Sequence, residues 1–243
     1  MKEIVWYYLH MKRLTMIDIL RAVAIINMAA YHTLWDLVYI HRVPLGWFRS
    51  EGATAWQLSI RWAFILLSGF CFSLSKRKHK RGWFVFGCSW VITAVTLIAM
   101  PRDAILFGVL TLLGTAMILT YFLEPILQQI PAPIGIAASG LLFCFFDRFP
   151  FPKALYANYF TAFLGFPPGW FSSSDYVPVF PWLFAFWMGY FLFEIMRKND
   201  LLRYLSGLRC RPLEWIGRHS LAIYMVHQPL IYGFLYLLFE VIR

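Results

Sequence analysis

Apolar residues come in near-continuous runs along this chain, without the three-to-four spacing of a surface helix or the alternation of a half-buried strand. Broken at charges and prolines, the runs fall near residues 14–39, 57–75, 83–100, 103–123, 132–147, 179–196 and 219–240. Most approach the ~20 residues that a helix needs to cross a hydrocarbon layer. The pattern predicts an all-α polytopic membrane protein with about seven transmembrane helices. An eighth run at 152–166 is broken by Pro152, Lys153 and Asn158 and is followed by Pro167 and Pro168, so an interfacial or re-entrant segment is expected there. No repeat of 20–50 residues appears and nothing divides the chain, so residues 1–243 read as a single transmembrane domain. Asp18 and Arg21 interrupt what would be the apolar core of a signal peptide, which predicts an uncleaved N-terminus.

Composition agrees with that pattern. Hydrophobic residues make up 60% of the 243 and charged ones 14%, against roughly 45–50% and 25% in a soluble domain. The formal charge of +10 would suit nucleic acid if it formed one patch. It lies instead in short segments between apolar runs: Lys76 to Arg81 carries five basic residues, and 197–218 six against two acidic ones, a net +4. Such segments mark cytoplasmic faces. With seven spans both fall on the side of the N-terminus, where Lys2, Lys12 and Arg13 outweigh Glu3, so the N-terminus is expected inside and the C-terminus outside. The stretch 147–178, rich in Phe, Tyr, Pro and Ser, is then external. It either covers a site or forms an aromatic interface belt.

Charged groups inside a span are costly and ask for a partner or a function. The first span carries most of them. Arg21 and His32 are eleven residues apart, which returns to nearly the same helical face about 16–17 Å further along. Asp18 is positioned to pair with Arg21, and Asp36 lies one turn beyond His32, placed to accept an imidazole N–H. Asp18, Arg21, His32 and Asp36 thus draw a polar stripe through the membrane; the alternative is a set of residues at the two headgroup layers. Arg61 is placed to counter Asp36 or an anionic substrate, or to sit at the interface. His227, followed by Gln228 and Pro229, is the other embedded imidazole, either a ligand contact or a core histidine at a kink. The stripe suits general-base chemistry, because an imidazole near neutral pH accepts a proton from an attacking hydroxyl or amine. A guanidinium deeper in the same face suits a phosphate-bearing donor. The chain has no Gly-rich phosphate loop, HExxH or GxSxG motif. Cys71, Cys88, Cys144 and Cys210 lack metal or disulfide spacing, so no metal site is expected.

The run Arg21-Ala-Val-Ala-Ile-Ile-Asn-Met-Ala-Ala-Tyr-His32 and the later Leu67-Ser68-Gly69-Phe70 resemble the membrane acyltransferase superfamily. Within it the chain is most similar to the small bacterial proteins grouped with the heparan-alpha-glucosaminide N-acetyltransferase catalytic domain. That likeness runs through Asp18-Ile-Leu-Arg21, His32-Thr-Leu-Trp-Asp36, Phe107-Gly-Val-Leu, Phe180-Pro-Trp182 and the Gly217 to Pro229 segment, and covers nearly the whole chain. It implies an integral protein of the bacterial cytoplasmic membrane that takes acetyl or another acyl group from cytoplasmic acyl-CoA. The group goes to a small-molecule or glycan acceptor, a sugar amine or hydroxyl, reached from outside. His32 is then the base with Asp36 beside it. Arg21, Arg77 and Arg81 are expected at the donor phosphates, and Arg61, Asp175, Trp182 and His227 at the acceptor. The expected partners are membrane lipid, acyl-CoA and the acceptor, with no nucleic acid; a homo-oligomer stays open. The heparan enzyme places its active histidine between the first two spans, whereas Trp47 to Trp56 contains none here. Two other classes fit the same residues: a transporter or flippase of a small anion or lipid-linked sugar, and a non-catalytic partner subunit whose polar residues join helices.

Overall fold

A computed structural model describes residues 14–241, so the basic N-terminal residues that entered the charge argument lie outside the described residues. Helices occupy all seven expected places: α1 (Thr15–Tyr39), α2 (Glu51–Phe72), α3 (Lys78–Ala99), α4 (Val109–Leu127), α5 (Ala132–Arg148), α7 (Val179–Lys198) and α9 (Ser220–Tyr236), the last running on into a π-helical turn at Leu237–Val241. No strand occurs among the described residues. Six of these helices are long and apolar enough to cross a membrane. α5 has 17 residues, the lower end of what spans a bilayer. Large apolar side chains such as Ile98, Leu141 and Phe234 point outward, as expected where the surroundings are lipid.

Two boundaries move for visible reasons. α2 begins at Glu51, ahead of the apolar run, because helical hydrogen bonding extends through polar residues that the hydropathy pattern excludes. α4 begins at Val109 instead of near 103: Pro101–Asp103 forms a 3-10 turn, and Phe107 takes a left-handed φ of 55° just before it. The segment expected to be interfacial or re-entrant folds as the six-residue α6 (Tyr159–Leu164), about 9 Å long at ~1.5 Å per residue and too short to cross. A capping box starts it, with the Thr161 N–H donating to Asn158 Oδ1 at 3.0 Å and the Asn158 N–H to Thr161 Oγ1 at 3.1 Å. Gly165 at φ 128° ends it.

The chain clusters into two compact units, the described parts of 1–60 and 196–243 in one and 61–195 in the other; the boundaries fall within α2 and α7.

In the first unit α1 packs against α9 and the short helix α8 (Arg211–Arg218). α8 approaches so closely at Gly217 that any Cβ there would overlap the Asp18 carbonyl. Thr15 Oγ1 donates to the Leu208 carbonyl at 2.6 Å. At the other end of α1, Val38, Phe48 and Ala53 form a small core with Tyr31, Trp35 and Trp56 around it. Trp56 Nε1 donates to Asn27 Oδ1 at 3.0 Å.

In the second unit the Leu67-Ser68-Gly69-Phe70 motif is a close helix crossing. Gly69 on α2 lies against the Phe186 carbonyl, and Gly189 on α7 against the Leu66 carbonyl, so each glycine admits the other helix's backbone. Gly135 on α5 receives the Phe191 ring, and Gly114 on α4 receives the backbone of Phe86 on α3. Small residues at such contacts let helices gain van der Waals packing where lipid gives no hydrophobic drive between them. Outside the helices, the Val177 N–H donates to the Phe107 carbonyl at 3.0 Å, and Ser173 Oγ both accepts from and donates to the backbone of Leu106. These bonds tie the two loops of residues 104–108 and 173–177 together.

Candidate functional site

The polar stripe of α1 is turned onto α9. Arg21 Nη2 donates to Ser220 Oγ at 2.8 Å, the first residue of α9. Further along, the ring of His32 faces that of His227 with centroids 5.0 Å apart and planes inclined by 58°. Beyond them Gln228 Nε2 donates to both Asp36 carboxylate oxygens, at 2.9 and 3.1 Å. Asp36 is fully buried. Three contacts in the same order along both helices mean that α1 and α9 run in the same direction.

Two local features prepare the α9 side. Pro229 has no N–H to return to the helix, which loosens the turn before it. In that turn His227 Nδ1 lies 2.6 Å from the Tyr224 carbonyl. A carbonyl oxygen only accepts, so Nδ1 carries the hydrogen and the lone pair of the neutral ring sits on Nε2. The second feature is Gln228 itself. Asp36, expected beside His32, accepts from Gln228, whose single Nε2 is shared between the two carboxylate oxygens.

Aromatic residues wall the α1 side of the site. Tyr31 meets His32 edge-on at 6.2 Å and also contacts Phe48 and Trp56, at 5.1 and 5.4 Å. Near the start of α1, Arg218 of α8 lies between two buried carboxylates. Its Nη2 is 3.1 Å from Glu214 Oε2, and its Nε is 3.9 Å from Asp18 Oδ2. The other Glu214 oxygen accepts the Cys210 N–H at 3.2 Å. Arg21, which the spacing placed within reach of Asp18, donates to Ser220, and Asp18 also lies near Arg218.

Arg21, His32, Asp36 and His227 therefore gather in one unit. The remaining expected site residues belong to the other and divide into three places. The Arg61 guanidinium lies over the Trp182 ring at 5.4 Å. Trp62 and Phe143 contact Trp182 too, each at 5.3 Å, and leave it 7% exposed. Arg77 is exposed just before α3, and Arg81 lies in its first turn. Asp175 sits in the loop opposite Gly108, where a Cβ would approach Asp175 Oδ2 to 3.3 Å. Ser220, Glu214 and Arg218 escaped the sequence reading because each looks like an ordinary loop or helix-end residue. Gln228 had a signal, since an amide within an apolar helix asks for a partner in the same way a charge does.

A family model for the heparan-alpha-glucosaminide N-acetyltransferase catalytic domain matches residues 13–229, which takes in the whole of the α1–α9 stripe. No curated protein and no solved structure matches the chain.

Proposed function

The chain belongs to the heparan-alpha-glucosaminide N-acetyltransferase catalytic family, a family of membrane acetyltransferases, and from that premise we propose that it moves an acetyl or other acyl group from cytoplasmic acyl-CoA to a sugar amine or hydroxyl reached from the extracytoplasmic side. The observation that carries the reading is the His32–His227 ring pair, set within apolar helices beside the buried Asp36. The acceptor's nitrogen or oxygen attacks the thioester carbon while its proton passes to the His32 imidazole. The new C–N or C–O bond forms, the C–S bond breaks, and the thiolate leaves with the proton that the imidazolium returns. His227, next to His32, is a second proton acceptor. Arg21, about 16–17 Å nearer the helix start, is placed for the donor's phosphates, a separation that an extended pantetheine arm spans. Arg77 and Arg81 are further candidates for the donor, and Arg61 and Asp175 for the acceptor.

The topology belongs to the same reading. A parallel α1 and α9 suits first and seventh spans, with the N-terminus and the basic 76–82 and 197–218 loops inside, and 148–178 and the C-terminus outside. A cysteine at the exposed Ser172, in a background lacking the four native ones, is labelled by an impermeant maleimide in intact cells. Labelling only after permeabilisation reverses the orientation.

The decisive assay follows label from radioactive acetyl-CoA into D-glucosamine with purified protein. Loss of general-base help costs about 10²–10⁴ in rate, so His32→Ala retains at most about one hundredth of wild-type transfer while its melting temperature holds. Near wild-type transfer in His32→Ala with a dead His227→Ala moves the base to α9. Full activity in both removes the histidine mechanism.

A further inference from the structure

Gln228 does two things with one amide, and the acyl-transfer reading above uses neither. Its Nε2 is committed to both oxygens of Asp36. The nitrogen faces Asp36, the arrangement in which an ionised carboxyl, which only accepts, is satisfied by the amide. That leaves Oε1 pointing away from Asp36. Oε1 is buried and meets no hydrogen-bond donor among the described residues. Buried acceptors are nearly always satisfied in native proteins, and one held in place without a donor needs an explanation. Its position supplies one. Gln228 directly follows His227, whose lone pair is set on Nε2 by the Tyr224 carbonyl, and His227 faces His32.

We propose that Gln228 is a substrate-contacting residue of this site, with Nε2 locked onto Asp36 so that Oε1 accepts a hydrogen bond from the acceptor's polar groups beside the histidine pair. The inference rests on the acyl-transfer reading. It gives Asp36 a new part, positioning Gln228 from behind, and makes the pair a preorganised unit: a buried carboxylate fixes an amide, and the amide presents one acceptor atom in a fixed direction.

The test separates the two halves of the amide. Gln228→Lys keeps a donor for Asp36 and removes the acceptor; Gln228→Met removes both at similar volume. Steady-state transfer from acetyl-CoA to D-glucosamine is measured for full-length protein, together with the melting temperature and the release of CoA thiol without any sugar. In both variants KM for glucosamine rises about 10- to 100-fold, the range set by an unmet buried hydrogen bond. KM for acetyl-CoA and sugar-independent thiol release stay within about twofold, readouts that general unfolding would move. An unchanged glucosamine KM in Gln228→Lys, or KM values for sugar and acetyl-CoA that rise together in both variants, overturns the inference and leaves acyl transfer standing. Failure of the wild type to transfer acetyl or release thiol overturns the acyl-transfer reading and this inference with it.

Discussion

The two units join their helices by opposite means. In 61–195, α2 and α7 meet through Gly69 and Gly189 with backbone on backbone, and rings fill the remaining space. In the other unit, α1 meets α9 through Arg21–Ser220, His32–His227 and Asp36–Gln228. Both solutions answer the same difficulty, that lipid is as apolar as leucine and gives helices no reason to associate. The glycine solution is inexpensive and silent. The polar one carries a desolvation cost for every charge that enters the membrane, and it persists where those groups also act on something. Chemistry is therefore sought along α1 and α9, and rigidity along α2 and α7.

The sharpest way to break this contrast is to load each kind of contact in turn. Gly189→Val places a branched side chain against the Leu66 carbonyl with no flexible neighbour to yield. Overpacking typically costs about 1–3 kcal/mol and occasionally more, and a clash with backbone falls at the upper end, so the variant should leave size-exclusion chromatography as aggregate and lose transfer only because folded protein is lost. A monodisperse Gly189→Val with wild-type melting would mean that the α2–α7 crossing is not the rigid element.

A smaller effect is expected where the first unit's polar contacts hold structure. Glu214 is 3% exposed and serves both Arg218 and the Cys210 N–H. In Glu214→Ala that N–H loses its acceptor, while Arg218, partly exposed, keeps Asp18 and water. The cost is about 1–3 kcal/mol, read as a lower melting temperature with KM for glucosamine unchanged, since the cluster lies at the opposite end of α1 from Asp36. A changed glucosamine KM with unchanged melting would extend the site to the start of α1.

How much of this was legible in the sequence follows from what each residue type needs. The seven helices were, because a bilayer admits only segments that satisfy their own backbone, and charge and proline mark where such segments stop. α5 shows the limit, since 17 residues bounded by Pro131 and Arg148 make the same signal as a longer span. The face shared by Arg21 and His32 was legible from helical period alone. The partner of Asp36 was not, because periodicity sees only one helix and Gln228 lies 192 residues away. Nor was the role of Gly69 and Gly189, since nothing in the pattern says which glycine meets a backbone. The start of α4 was missed because hydropathy continues through Ile105 to Phe107 while a left-handed φ at Phe107 breaks the helix there.

The last and smallest effect is expected in the loop that precedes α7, where a polar group in the second unit has a structural use. The Tyr176 hydroxyl donates to the Ala162 carbonyl in α6, and burial raises its pKa above the ordinary tyrosine value. The neutral phenol is thus the native form. In the unfolded chain the same group ionises near pH 10. A folded-state pKa above the unfolded one means that the contribution is complete below about pH 10 and is lost as pH rises beyond it, because the unfolded state gives up its proton first. Tyr176→Phe removes both the hydrogen bond and the titration. At pH 7 it should be less stable than wild type by about 0.5–1.5 kcal/mol, with transfer within about twofold. Between about pH 9 and 11 the melting temperatures of the two proteins should converge, since wild type alone loses this contribution, whereas the other twelve tyrosines are common to both. A gap that stays constant across that range would mean the hydroxyl is not held neutral by burial. A Tyr176→Phe protein with normal stability but impaired transfer would place this loop in the site and end the division between a chemical unit and a rigid one.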